Sequence, residues 1–261
     1  MYKSMSNIME NSQTVIQMED VSVRYRIPNE TIRTFKEYLI RLLQGRIKHN
    51  DFWALREINI RINKGEVFGI IGRNGAGKST LLKVISKVLI PYKGHLWIKG
   101  NISPLLQLGA GFHPELTGRE NIFLNATLLG HSRLEINEKM DEIIAFADIG
   151  DFLETPLRTY SSGMQSRLGF SVATAWQPDI LILDEVLAVG DSAFRNKCIN
   201  RLKKYKERGM TILMVSHESN QIRTFCQRAI WLDHGEIKMD GPAAEVCESY
   251  ENSVLKSSGN S

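Results

Sequence analysis

Apolar and polar positions alternate from Val15 to Ile27, where Val21, Val23, Tyr25 and Ile27 share one side of a strand that ends at Pro28. The period then changes. Ile32, Phe35, Leu39, Leu42 and Leu43 follow helical spacing, Arg33, Lys36, Glu37 and Arg41 take other faces, and Gly45 is a natural stop, so residues 29–50 read as one basic amphipathic helix inserted between strands. Alternation resumes over Leu55–Ile62, turns at Asn63-Lys64-Gly65, and gives way to Val67–Ile71, the unbroken apolar run of a parallel strand covered on both faces. Between Pro114 and Ala175 the pattern is helical, with Thr117 as an N-cap three residues ahead of Glu120 and Ile136, Met140, Ile143 and Ile144 on helical spacing. Residues 113–175 therefore read as a helical subdomain set into an α/β core. Two further buried-type strands, Ile180–Leu183 and Thr211–Val215, flank a Lys/Arg-rich helix around Asn196–Lys206, and the last strands, Arg228–Leu232 and Glu236–Met239, bracket the turn Asp233-His234-Gly235. The polar stretches 1–14 and 253–261 are expected to be loose tails.

At 261 residues the chain can bury a sizeable core. With 43% hydrophobic and 24% charged residues and only 7 Pro beside 20 Gly, collagen-like, disordered and coiled-coil classes are excluded. The net charge of +4 is a mild pointer to an anionic partner. Cys198, Cys226 and Cys247 are odd in number and widely spaced, without a Cys-x-x-Cys pair, which fits a reducing compartment. No apolar run approaches the roughly 18 residues of a membrane span, and Met1 to Thr14 lacks the apolar centre of a secretion signal, so a cytoplasmic location is expected.

Chemistry enters at Gly72-Arg73-Asn74-Gly75-Ala76-Gly77-Lys78-Ser79, which satisfies G-x-x-x-x-G-K-[ST] where an apolar strand yields to a helical pattern. Glycines let backbone N–H groups wrap phosphate oxygens, the helix N-terminus through Thr80 adds positive partial charge, Lys78 reaches the outer phosphates, and the Ser79 hydroxyl can ligate Mg²⁺. A second element completes this. Ile180 to Leu183 is an apolar strand ending in Asp184 and Glu185, and a parallel sheet sets both carboxylates at the edge beside the phosphate loop. Asp184 suits the metal, and Glu185 is free to orient and polarise an attacking water.

On these residues the sequence resembles the ATP-binding-cassette ATPases over about Val15 to Tyr250. The resemblance implies an α/β fold, with a P-loop ATPase core built on a mixed, RecA-like sheet, an inserted helical subdomain and an antiparallel β subdomain. Tyr160-Ser161-Ser162-Gly163-Met164 sits where that family places a signature close to L-S-G-G-Q; two residues match and three depart. Ser161 and Gly163, flanking Ser162, would bind the γ-phosphate of ATP held on a second copy of the chain. The resemblance further implies that Gln107 reaches the magnesium and water and senses the transport subunit. It also makes Asp191 the loop aspartate coupling two active sites and His217 the switch histidine contacting the γ-phosphate. An adenine-stacking aromatic is expected near the end of the first strand, with Tyr25 the candidate and Trp53 the alternative.

The short interval from Lys78 to Ser161 leaves no room for the long arms of DNA-repair relatives, so nucleic acid is not an expected partner. Finer features resemble exporters of lipid-linked polysaccharides, O-antigen above all: the Tyr160 to Met164 signature, the Leu187 to Asp191 loop, the run Leu105 to Pro114, Thr117 to Ile122, and the insertion before Trp53. That likeness implies an ATPase working as a homodimer at the cytoplasmic face of the bacterial inner membrane, with two copies of an integral-membrane transport subunit. A teichoic-acid, capsule or other efflux ATPase is the nearer alternative, and a regulatory nucleotide switch the more distant one. The short stretch after His217 fits an ATPase without the carbohydrate-binding domain that some of these relatives carry. The basic 29–50 segment is either a membrane-facing element attracted to lipid-linked phosphate or a helix packed on the core.

Overall fold

The computed structural model describes residues 13–28, 49–105, 109, 111–184 and 190–258. Its centre is a six-stranded sheet in the order β5(Ile102–Leu105), β6(Ile180–Asp184), β7(Thr211–Ser216), β3(Val67–Ile71), β8(Arg228–Asp233), β9(Glu236–Pro242). The first five run parallel and β9 returns antiparallel to β8, so the sheet is mixed. Beside it lies an antiparallel sheet ordered β2(His49–Asn63), β1(Thr14–Pro28), β4(Lys93–Ile98).

The unbroken apolar runs are explained by two cores, one on each face of the parallel sheet. Phe68, Ile70, Ile182, Leu213 and Ile230 pack with the antiparallel sheet and with Leu81, Leu82 and Ile85 of α1(Lys78–Ile85). The alternate residues Val67, Ile71, Leu181, Ile212 and Ala229 face the other way, onto α5(Ser192–Glu207), α6(Ser219–Phe225) and α7(Ala243–Ser258). Because strand side chains alternate between faces, a strand feeding two cores must be apolar throughout.

A third core belongs to α2(Gly118–Leu128), α3(Arg133–Ala147) and α4(Ser162–Ala173), joined through short 3-10 turns. Thr117 and Ser132 each open a helix with a reciprocal capping box, to Glu120 and Glu135, which satisfies two otherwise orphaned N–H groups at each terminus.

Two tail expectations are corrected. Thr14 opens β1, with its Oγ1 donating to Asn63 Oδ1 at 3.2 Å, and Ser253 to Ser258 continue α7. Val246, Cys247, Tyr250 and Val254 lie on the packed side of α7, and Tyr250 meets Trp231 edge to face at 6.0 Å, so tertiary burial outweighs a polar local composition. The sequence reading also passed over β4, α6 and α7 as elements. His49 and Asn50, placed in the basic helix by that reading, begin β2; the rest of that segment lies outside the described residues.

Candidate functional site

The carboxyl ends of β3, β7 and β6 lie side by side, with Ile71 paired to Ser216 and Asp184 to Val215. This edge collects the loop after β3, His217 after β7, and Asp184 at the end of β6. Glu185 and Gln107 lie outside the described residues. His217 is exposed, and the turn after it is fixed by the Glu218 N–H, which donates to Ser216 Oγ at 3.0 Å.

The loop itself is shaped by three glycines with different reasons. Gly77 is the N-cap of α1 with φ +106, and a Cβ there would lie 2.6 Å from the Ala54 carbonyl oxygen. Gly75 also has positive φ, +82, but its missing Cβ would face open space, so it serves conformation alone. Gly72 has an ordinary φ and passes so close to β8 that a Cβ would stand 2.2 Å from the Leu232 carbonyl oxygen; it does not line the cleft. Ala76 is buried, and its carbonyl accepts the Gly235 N–H at 2.9 Å. Gly235 and His234 are the two left-handed residues of the tight turn between β8 and β9, as a two-residue hairpin loop requires. The Gly235 carbonyl then takes the Arg56 N–H at 2.8 Å, tying loop, turn and β2 together.

Inside the loop, Lys78 is 7% exposed and its Nζ donates to the carbonyls of Gly72 at 2.7 Å and Arg73 at 3.0 Å. No side chain caps α1. The helix therefore presents its positive end to a cleft of about 370 Å³ lined by Tyr25, Phe52, Ala54, Asn74, Gly75, Gly77, Lys78, Ser79 and Thr80. An ammonium group, left-handed glycine backbone and an uncapped helix N-terminus fit the phosphates of a nucleotide. The exposed Ser79 hydroxyl beside them fits Mg²⁺, which takes one or two protein oxygens together with phosphate.

Of the two aromatic candidates, Tyr25 lines this cleft and Trp53 does not. Tyr25 pairs across the ladder with Phe52, whereas Arg24 pairs with Trp53 and turns to the opposite face. The register slips between Val23↔Leu55 and Arg24↔Trp53, leaving Ala54 as an extra residue of β2. Such a bulge re-aims the residues beyond it. It decides which of the neighbours Phe52 and Trp53 meets the cleft, and it is why sequence reasoning missed Phe52: side-chain alternation is readable, its interruption is not.

Ser161, Ser162 and Gly163 stand apart from the cleft of their own chain. Ser161 caps α4, its Oγ accepting the Met164 N–H at 3.2 Å, and both serines are exposed. Asp191 caps α5 by accepting the Phe194 N–H at 2.8 Å and ion-pairs with Arg167 at 3.2 Å. That backbone hydrogen bond, with Arg167 close by, holds the Asp191 carboxyl below the usual carboxylate range. The N-termini of α4 and α5 are thus two exposed, capped helix ends, and neither lines the cleft described above.

Comparison with known proteins decides the family. Residues 55–188 match the ABC transporter family model. The chain belongs to the ABC transporter family. The O-antigen export system ATP-binding protein RfbB of Klebsiella pneumoniae is 47% identical over 213 residues, covering 82% of this chain and 85% of that protein. The RfbB protein of Myxococcus xanthus is 47% identical over 94% of this chain, which spans 57% of that relative's length. The teichoic acids export ATP-binding protein TagH of Listeria innocua is 46% identical over 79% of this chain and 62% of its own. Among solved structures, a dimeric ATP-binding cassette in a post-hydrolysis state bound to ADP and Pi superposes with a TM-score of 0.69 at 25% identity, over 87% of this chain and 98% of that one. The α/β P-loop ATPase fold with its antiparallel sheet is thus that of an ABC cassette. Among the described residues no helix is long and apolar enough to cross a membrane.

Proposed function

We propose that this chain is the ATP-hydrolysing subunit of an exporter that moves lipid-linked, O-antigen-type polysaccharide across the cytoplasmic membrane from its inner face. The observation that carries the reading is the cleft in which an uncapped helix N-terminus and Lys78 meet the rings of Tyr25 and Phe52, a phosphate half and a base half of one nucleotide site. The polysaccharide rests on the O-antigen export relatives. The teichoic-acid relative at 46% identity supports a second reading that differs only in the exported glycan.

Bound with Mg²⁺, ATP supplies the phosphoanhydride whose hydrolysis drives transport. Gly75, Gly77, Thr80 and Lys78 hold and neutralise the phosphates, and Asn74 lines the cleft beside them. Ser79 and Asp184 would hold the metal, and Gln107 is assigned to reach it and the attacking water. Glu185 orients and polarises that water, while His217 contacts the terminal phosphate. Tyr25 and Phe52 take the base by stacking. Ser161, Ser162 and Gly163 complete the site of the partner copy in a homodimer, with Asp191 at the seam, a reading supported by dimeric cassette relatives. Motion then passes to a membrane transport subunit, expected in two copies, through the surface near Phe112, with Gln107 as the residue assigned to sense it.

The test is Mg²⁺-dependent ATP hydrolysis by the wild type and Glu185→Gln, with size-exclusion chromatography in ATP. Turnover by the wild type, loss of at least about a hundredfold in the variant, and an ATP-dependent dimer of the variant are expected. Equal hydrolysis by both would sink the assignment of Glu185 and favour a regulatory nucleotide switch. The glycan is decided by which lipid-linked polymer stimulates turnover of the chain assembled with its membrane subunit.

A further inference from the structure

The ribbon that carries Tyr25 and Phe52 is braced from behind. The pairing of β1 with β4 ends at Ser22↔Lys93, so beyond it residues 24–28 and 49–53 form a two-stranded ribbon, an arrangement of marginal stability in water. Its rings face the cleft with Tyr25 37% and Phe52 54% exposed, too open to be fixed by packing on that side alone. On the opposite face the Arg24 guanidinium lies 4.0 Å from the centroid of the Tyr92 ring and 5.8 Å from that of Trp53. Trp53 and Tyr92 meet edge to face, with centroids 5.8 Å apart and ring planes at 75°. Arg24 Nη1 also donates to Asp51 Oδ2 at 2.7 Å, and the Arg24 side chain is only 14% exposed. Tyr92 comes from the chain that leaves α1, and its own N–H donates to the Ser22 carbonyl at 2.8 Å. The helix that begins at the phosphate loop and the ribbon that presents the base platform are therefore joined through one cation held between two aromatic rings.

From this we infer that Arg24, clamped by Tyr92 and Trp53, is a positioning residue for the base: it acts through the ribbon to hold Tyr25 and Phe52 over the cleft and touches no part of the nucleotide. The inference rests on the reading that those two rings stack on adenine. Arg24 and Trp53 occupy the ladder position next to Tyr25 and Phe52, so a ribbon that twists when Arg24 is lost swings the platform directly. The phosphate loop has anchors of its own that do not involve Arg24, through Ala76, Gly235 and Arg56, and is expected to keep its geometry when Arg24 is replaced. The consequence is selective: affinity falls for a ligand with a base and stays for one without.

The experiment compares KM for Mg-ATP with the inhibition constant of inorganic tripolyphosphate, a base-free competitor, in wild type, Arg24→Met, Arg24→Lys and Tyr92→Leu. For Arg24→Met and Tyr92→Leu the ATP KM should rise about three- to tenfold, the size of a partly desolvated cation–π contact. Tripolyphosphate inhibition and kcat should stay within about twofold, and Arg24→Lys, which keeps the cation, should recover most of the loss. Parallel weakening of both ligands, or no change in either, overturns the inference. If Arg24→Met does not fold, Tyr92→Leu, at a half-exposed position, gives the same readout. Tyr25→Ala and Phe52→Ala in the same assay separate the two failures. If they leave ATP-over-tripolyphosphate selectivity unchanged, the stacking reading falls and the inference with it; if they lower selectivity while Arg24→Met does not, the inference alone falls.

Discussion

Gly77 begins α1 with φ +106 and its hydrogen in the place of a Cβ that would strike the Ala54 carbonyl. Gly77→Ala should therefore lose nucleotide binding and destabilise the fold by about 2 kcal/mol or more, the sum of a left-handed backbone and a clash with main chain. Gly75→Ala carries only the backbone part, about 1–2 kcal/mol, because its Cβ would meet open space. Denaturant melts of the two variants, with a fluorescent ATP analogue as probe, rank them; equal losses would refute the clash. A second prediction concerns the thiols. Cys198, Cys226 and Cys247 are all buried, and burial pushes Cys198 and Cys226 up to about 12. Without thiolate character they should resist a disulfide reagent at pH 8 until denaturant is added. Fast labelling of the native chain would contradict the packing of α5 and α7.

The helical unit made by α2, α3 and α4 depends on capped ends more than on sheet pairing. Hydrogen bonds from Thr117 hold the Glu120 carboxyl below its ordinary value, and those from Ser132 do the same for Glu135. At the seam with α5, Lys197 lowers Asp148. A carboxyl with a depressed folded value lends stability that is present above its unfolded value and is lost as pH falls through the folded one. His131 adds to this with the same sign. Burial against Trp176, stacked at 3.8 Å, lowers its value, so the unfolded chain takes up the proton first and stability falls as pH drops below about 6.5. Amide exchange across residues 118–173 should therefore accelerate on acidification, modestly from about pH 6.5 and steeply between about pH 5 and pH 3, ahead of the parallel sheet. His131→Phe should remove the first part of that dependence and leave the second. An unchanged profile would mean that the histidine does not titrate against folding.

At the scale of the whole molecule, the α4 N-terminus does not line the cleft, and on the proposed function the two are halves of one site joined between two copies of the chain. Turnover should thus be second order in protein at low concentration, with specific activity rising several-fold as the ATP-bound chain dimerises. Assays across a hundredfold dilution series check this, and constant specific activity would point to a site complete in one chain. Ser161→Ala should lower kcat of the dimer while leaving ATP binding by the monomer unchanged, since Ser161 lies away from its own cleft. Mg-ATP itself should stabilise the monomer by about 2.7 kcal/mol at a hundred times its Kd.

What the sequence determined by itself was everything carried by short-range pattern. Doubly covered strands show as unbroken apolar runs, Thr117 and Glu120 as a capping box, and the loop from Gly72 to Ser79 as glycine spacing, because each is set by local backbone geometry. Tertiary structure alone decided the rest. Whether Phe52 or Trp53 meets the cleft depends on the Ala54 bulge, a slip of one residue that reverses which face a side chain occupies. Gly72 reads as a phosphate-loop glycine, yet its missing Cβ makes room for the Leu232 carbonyl of a strand that follows it by more than 150 residues in sequence. Ser253 to Ser258 read as tail but are helix, because Tyr250 and Val254 find a buried face contributed by β8 and its neighbours. Local pattern records what a residue prefers; the packed neighbours, distant in sequence, determine which preference is met.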